Sequence, residues 1–324
     1  MHKPKYLMIS ALIFFLSATT AQAADPPTDP ILRIETGMHT TQIKRIGVDA
    51  AERFLLTASR DKTLRLWDLR TGDLLKTYRV PIIGAANEGN LYSGAISPDA
   101  EWVAGAGYTA AEWDNALSIY IFNRASGQLV KRLSGLENVI FHLCVSKDGQ
   151  YLGASLGGPN GVRVWNTQTW SQIFSDTDYA DSSLWCDFDR QNRLVTTSYD
   201  GYLRLYSSAA DAFSLVAKSG VPGGSQPYAA VFSPAGDKIA VGFADSTNVN
   251  VLEGHDLAFL YAPNTTGIAK GNLARVAWSQ DGNSLYAGGS YNDGSSFLIL
   301  HWSQAGEGNY LYQRGVCNDD SDLD

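Results

Sequence analysis

The chain is predicted to be all-β, a propeller of six four-stranded blades, and three observations predict it. An apolar residue followed by a short polar turn recurs along the chain at intervals of 43 to 49 residues. Each recurrence is followed by short runs in which apolar and polar residues alternate, the period of a half-buried strand. Pro, Asp, Gly and Asn punctuate the runs, as hairpin turns require. A self-similar period of this length is what one blade per copy produces.

The first strand of each blade ends at the recurring apolar residue: Val48, Ile96, Val145, Phe188, Phe232 and Trp278. Turns follow at Asp49-Ala50-Ala51-Glu52, Ser97-Pro98-Asp99-Ala100, Ser146-Lys147-Asp148-Gly149, Asp189-Arg190-Gln191-Asn192, Ser233-Pro234-Ala235-Gly236 and Ser279-Gln280-Asp281-Gly282. Second strands then begin in runs such as Phe54-Leu55-Leu56-Thr57-Ala58 and Lys238-Ile239-Ala240-Val241-Gly242. Third strands alternate as Leu64, Leu66 against Arg65, Val162, Val164 against Arg163, and Leu203, Leu205 against Arg204. A large side chain closes each of them: Trp67, Phe122, Trp165, Tyr206, Leu252 and Trp302. Blades stack on both faces, so these side chains are expected to fill space between blades. Asn309–Gln313 supplies a last outer strand.

The best-preserved copy is Leu64-Arg65-Leu66-Trp67-Asp68, preceded by Ser59-Arg60-Asp61 and by Gly37-Met38-His39. On these residues the chain resembles the WD40 repeat family, over roughly residues 37 to 305. The resemblance implies a structural tetrad of His39, Ser59, Asp61 and Trp67, in which the His bonds a carboxylate and a hydroxyl, and the hydroxyl meets the indole nitrogen. The fourth copy keeps Ser198, Asp200 and Tyr206 but shows no obvious His. In this family a run such as Ile31-Leu32-Arg33-Ile34-Glu35 completes the last blade, yet the sixth copy already has its outer strand. The expectation is therefore a seventh blade missing or incomplete, short by about 35 residues of four ~5-residue strands with turns. A closed six-blade ring with a free N-terminal arm is the alternative.

Lys3 and Lys5 precede an apolar run from Tyr6 to Ala18, and Ala21-Gln22-Ala23 reads as a signal-peptidase site. The apolar run is shorter than the ~20 residues that span a bilayer, and no Cys follows it to carry a lipid anchor. Residues 1–23 are thus expected to be a signal peptide, 24–36 an arm with the closure strand, 37–313 the propeller and 314–324 a solvated acidic tail. The expected location is the periplasm or the exterior. The formal net charge is −8, and cleavage after Ala23 would leave 23 basic against 33 acidic residues. That balance argues against nucleic acid and anionic membrane as partners.

Cys144 and Cys186 fall on opposite faces of equivalent strands in neighbouring blades, which argues against a bridge between them and makes both small core residues. Cys317 lies in the tail and is the likelier reactive thiol of the three. His142 and Cys144 share one strand face, the minimum for a Cys/His dyad or two metal ligands, but no third ligand stands at suitable spacing. No catalytic, metal or cofactor site is expected. Asp61, Asp200, Asp245 and Asp293 recur after second strands, where acids close tight turns.

The second copy is lengthened at Tyr108-Thr109-Ala110-Ala111-Glu112-Trp113-Asp114-Asn115, and Tyr108, Glu112, Trp113 and Asp114 are candidates for partner binding from one rim. The functional expectation is a non-catalytic exported scaffold binding a protein or peptide through rim loops. One alternative is an accessory propeller of a larger exported protein, loosely similar to those attached to caspase-like peptidases, although no Gln-Ala-Cys-x-Gly signature occurs. Another is a lactonase-type or quinone-dependent propeller enzyme, whose families differ in repeat signature.

Overall fold

The computed structural model describes residues 35–82, 87–109, 116–268, 270–292 and 297–314. The signal peptide, Ile31–Ile34 of the closure strand, Glu112, Trp113, Asp114, Asp293, Cys317 and residues 315–324 of the acidic tail lie outside them. The described chain forms six four-stranded antiparallel sheets, each in simple sequence order.

Blade 1 is β1 (Ile43–Val48), β2 (Phe54–Ser59), β3 (Thr63–Asp68) and β4 (Leu74–Arg79). Blade 2 holds β5 (Asn90–Ile96), β6 (Trp102–Tyr108), β7 (Leu117–Asn123) and β8 (Leu129–Leu136). Blade 3 runs through β9 (Ile140–Val145), β10 (Tyr151–Leu156), β11 (Val162–Asn166) and β12 (Gln172–Asp176). Blade 4 comprises β13 (Ser183–Phe188), β14 (Leu194–Ser198), β15 (Tyr202–Ala209) and β16 (Ala212–Gly220). Blade 5 is β17 (Pro227–Phe232), β18 (Lys238–Phe243), β19 (Val249–Glu253) and β20 (Phe259–Tyr261). Blade 6 is β21 (Arg275–Trp278), β22 (Leu285–Gly288), β23 (Leu298–Trp302) and β24 (Tyr310–Arg314).

All six anchor residues end a first strand, where the sequence places them. The turn after each is built alike. Its first residue is Asp or Ser, whose side-chain oxygen accepts a backbone N–H across the hairpin: Phe54 N to Asp49, Trp102 N to Ser97, Tyr151 N to Ser146, Lys238 N to Ser233 and Ser284 N to Ser279, at 2.8–3.1 Å. Its fourth residue is left-handed in every blade, from Glu52 (φ 54°) to Gly149 (φ 77°), and three of the six are Gly. Gly adopts this region without a steric cost.

Cores lie between blades. Five apolar clusters join blades 1 and 2, 2 and 3, 3 and 4, 4 and 5, and 5 and 6. At the first of these junctions Leu64 lies across Gly94 and Gly105, where an added Cβ would meet its methyl carbons at 3.0 and 2.8 Å. Among the described residues no such cluster joins blade 6 to blade 1, and β21 does not pack along β1 as every other pair of successive inner strands does. On the face of blade 1 turned away from blade 2, Thr57 and Arg65 are buried, but the innermost strand leaves apolar side chains open beside the channel, and blade 6 does the same on its outer strands. Ile46 and Val48 of β1 are 66% and 48% exposed, and Ile299 and Leu311 of blade 6 are 47% and 69% exposed.

Cys144 and Cys186 form a disulfide, with Cα atoms 5.8 Å apart. This corrects the expectation of two unbridged residues. Blades stack so that one face of a sheet meets the opposite face of the next. Residues on opposite faces of equivalent strands in neighbouring blades are therefore the ones that approach. The same bond removes the thiol from the Cys/His pair. His142 Nδ1 instead accepts the Cys186 backbone N–H at 3.2 Å, on the adjoining blade.

Candidate interaction surfaces

The polar network in blade 1 departs from the expected tetrad at one position. His39 Nδ1 meets Asp61 Oδ2 at 2.8 Å, His39 Nε2 meets Thr57 Oγ1 at 2.7 Å, and the Trp67 indole N–H donates to Thr57 Oγ1 at 2.8 Å. The central hydroxyl is Thr57, and Ser59 is corrected to a different role. Leu55, Thr57 and Ser59 share a face of β2, and Thr57 is the one beside the rung of Trp67, which pairs with Leu55. Ser59 Oγ instead contacts Thr41 Oγ1 at 3.2 Å and accepts the Asp61 N–H at 3.1 Å, tying the turn. Donor chemistry fixes two of the directions: the indole N–H can only donate, so Thr57 Oγ1 accepts from it, and the ionised Asp61 carboxylate can only accept, so His39 Nδ1–H donates to it. Burial opposes ionisation of Asp61, but hydrogen bonds from His39 and Thr63 outweigh it and bring its pKa down to about 2.

Blade 4 builds an equivalent from different residues, which sequence reasoning missed. The Tyr179 hydroxyl bonds Thr196 Oγ1 at 2.7 Å and the Tyr206 hydroxyl at 2.9 Å, and Tyr206 donates to Asp176 at 2.8 Å. Thr196 pairs with Arg204 as Thr57 pairs with Arg65. Tyr179 stands 17 residues before Thr196, and His39 18 before Thr57, so the spacing was the available signal. Asp200 is held by Arg204 at 2.7 Å, and Asp245 accepts Ser225 N at 2.9 Å and Gln226 N at 3.1 Å. These acids close turns.

Three surfaces remain for recognition. Tyr108 ends β6 on the rim and is 44% exposed; the rest of its candidate cluster lies outside the described residues. The exposed apolar side chains of blades 1 and 6 form the second. The third is the central channel, a cavity of about 690 Å³ lined by the inner strands and their turns, with Pro98, Arg190, Pro234, His142 and Trp185, and bordered by Ile46 and Val48 of the second surface. The guanidinium of Arg45 lies 4.4 Å from the Trp185 ring centre and 6.0 Å from that of Tyr228. His142 stacks on the other ring contact, Trp185, at 4.0 Å, and burial together with Arg45 and Arg275 holds its pKa well below 6.5. Among the described residues no three His, Cys, Asp or Glu side chains are gathered to hold a metal.

Residues 34–68, covering the first three strands of blade 1, match the family described as WD domain, G-beta repeat. The chain is similar to eukaryotic translation initiation factor 3 subunit I of Brugia malayi, 43% identical over 70 residues, which is 22% of this chain and 19% of that protein. It is also similar to the SAGA complex subunit Spt8 of Schizosaccharomyces pombe, 25% identical over 206 residues, 63% of this chain and 35% of that protein. The matches thus span about a third or less of these curated relatives. The chain thus matches the WD domain, G-beta repeat at residues 34–68, and that repeat is set in a β-propeller of six consecutive four-stranded blades.

Proposed function

We propose that the chain is a non-catalytic exported scaffold that binds a protein partner. The observation that carries this reading is the set of exposed apolar side chains on the facing sides of blades 1 and 6. Ile46, Val48, Ile299 and Leu311 present to solvent the kind of surface that the other blade faces bury against each other. Exposed apolar patches of this kind mark interaction sites. Both relatives are, by name, subunits of assemblies, which fits. Export is supported by the leader-like residues 1–23 and by the Cys144–Cys186 disulfide, a bond favoured in oxidising compartments. The same exposed side chains also favour the accessory reading, in which the partner surface belongs to a larger exported protein.

The test contrasts the two faces of blade 1. Ile46→Glu, on the open face, should change stability by no more than about 0.5 kcal/mol, whereas Leu64→Ala, at the junction with blade 2, should cost about 2–5 kcal/mol. Crosslinking followed by mass spectrometry in the periplasmic fraction should place the partner on blades 1 and 6, and Ile46→Glu with Ile299→Glu should abolish that product without lowering the melting temperature. Retention of the same crosslinks by the double variant defeats the reading. An intact mass that includes residues 1–23 defeats cleavage after Ala23.

A further inference from the structure

Against Trp185, a ring that lines the channel, sits a cation with no carboxylate partner among the described residues. Arg45 is only 8% exposed, and its Nε is buried without a hydrogen-bond partner. Its guanidinium faces the rings of Trp185 and Tyr228, and Arg275 comes onto the same Tyr228 ring from blade 6, 5.4 Å from the ring centre. Two cations therefore flank one phenol. Among the described residues, no carboxylate pairs with either of them.

The other well-buried arginines are treated differently. Arg65 meets Glu35 at 2.8 Å, Arg163 meets Glu137 at 2.8 Å and Arg204 meets Asp200 at 2.7 Å. A buried cation lacking its partner is costly, and a second cation beside it raises the cost. Burial draws the Arg45 pKa down to about 10, with Arg275 adding to the shift and Tyr228 opposing it, which leaves Arg45 charged at neutral pH. His142 adds no positive charge, being held neutral against the Trp185 ring. A positive focus thus sits inside a protein whose formal net charge is −8, a contrast that concentrates anions at one point.

We propose that this point beside the channel is an anion site, in which Arg45 and Arg275 clamp a side-chain carboxylate of an acidic polypeptide segment, with Trp185 and Tyr228 as its walls. Guanidinium is suited to the task, since its donor fork matches a carboxylate and its planar face rests on aromatic rings. Arg45 is already held by such stacking and by a hydrogen bond to the Tyr228 side chain, so its remaining donors are preorganised for the ligand. The inference deepens the scaffold reading and rests on it only for the source of the carboxylate. Two sources share the chemistry: a separate polypeptide, and this chain's own Asp319, Asp320, Asp322 and Asp324.

The experiment is calorimetric titration of the purified chain, at fixed ionic strength, with the peptide Asp-Asp-Ser-Asp-Leu-Asp and with its Asn-for-Asp counterpart. The acidic peptide should bind and raise the melting temperature, as a ligand of the native state must, and the Asn peptide should do neither. Arg45→Met and Arg275→Met should each weaken binding at least tenfold while retaining the circular dichroism of the parent. Inorganic phosphate should compete in the parent and not in the variants, which tests the site independently of any partner. Removing residues 315–324 tightens binding if the tail is the occupant and leaves it unchanged if the occupant is another chain; either result keeps the site. Equal affinity in parent and both variants, or binding by none, overturns the proposal. So does a tyrosinate absorbance at neutral pH that Tyr228→Phe abolishes, because the counter-charge would then be internal.

Discussion

Reduction of Cys144–Cys186 is the perturbation with the most calculable effect. The bond links residues 42 apart in sequence, on the inner strands of blades 3 and 4. Closing a loop of that length in the unfolded chain is worth about 4 kcal/mol at 25 °C in the chain-entropy account. For a domain of this size each kcal/mol moves the melting temperature by ~2 °C, so reduction should lower it by about 8 °C. Scanning calorimetry of the oxidised and reduced protein measures this, with intact mass confirming the gain of two hydrogen atoms. Cys144→Ala with Cys186→Ala should reproduce the loss, whereas Cys317→Ser should not. A melting temperature unmoved by verified reduction would refute the reasoning, as would two free thiols at these positions in protein purified under oxidising conditions.

The network of blade 1 separates its two hydroxyls by mutation. Thr57→Val leaves the Trp67 indole and His39 without their shared partner and should cost about 1–3 kcal/mol in chemical denaturation, while Ser59→Ala should cost less than half as much; the reverse order would restore the role first assigned to Ser59. Asp61 makes stability pH-dependent in a definite direction. Its pKa in the fold is about 2, below the unfolded value of ~3.9, so its contribution is present above pH ~4 and is lost as pH falls through ~2. After allowance for solvent screening this amounts to on the order of 1–2 kcal/mol. Asp61→Asn should flatten that part of the acid limb in a pH series of denaturation midpoints, and an unchanged limb would contradict the assignment.

The backbone plan was legible because it is written in local chemistry. An apolar residue closing a strand, a Ser or Asp to take the hairpin N–H groups, and a residue able to turn left-handed all lie within five positions, so each of the six anchors was found. What lay between blades was less legible. The Cys144–Cys186 bond depends on how two sheets face each other, a relation that strand parity alone inverts unless the stacking is considered. Thr57 and Ser59 lie on one face of β2, so only the rung of Trp67 distinguishes them. Tyr179 escaped notice because a phenol does the work of an imidazole at nearly the same spacing. Arg45 belongs to no motif that the sequence singles out. Its burial follows from the rings of Trp185 and Tyr228, which come to it from other blades.

Among the described residues no apolar cluster joins blades 6 and 1, and this gives the described blades a topology of their own. A closed propeller is a cycle, in which every blade has two neighbours; here the described blades form a linear array with two ends. In such an array stability is set by nearest neighbours, and opening begins at the termini. Blades 1 and 6 should therefore exchange their amide protons first, and the disulfide, at the midpoint of the array, guards the junction farthest from either end. A partner seated between the ends would turn the line into a cycle, and protection would rise across the whole molecule rather than only where the partner touches.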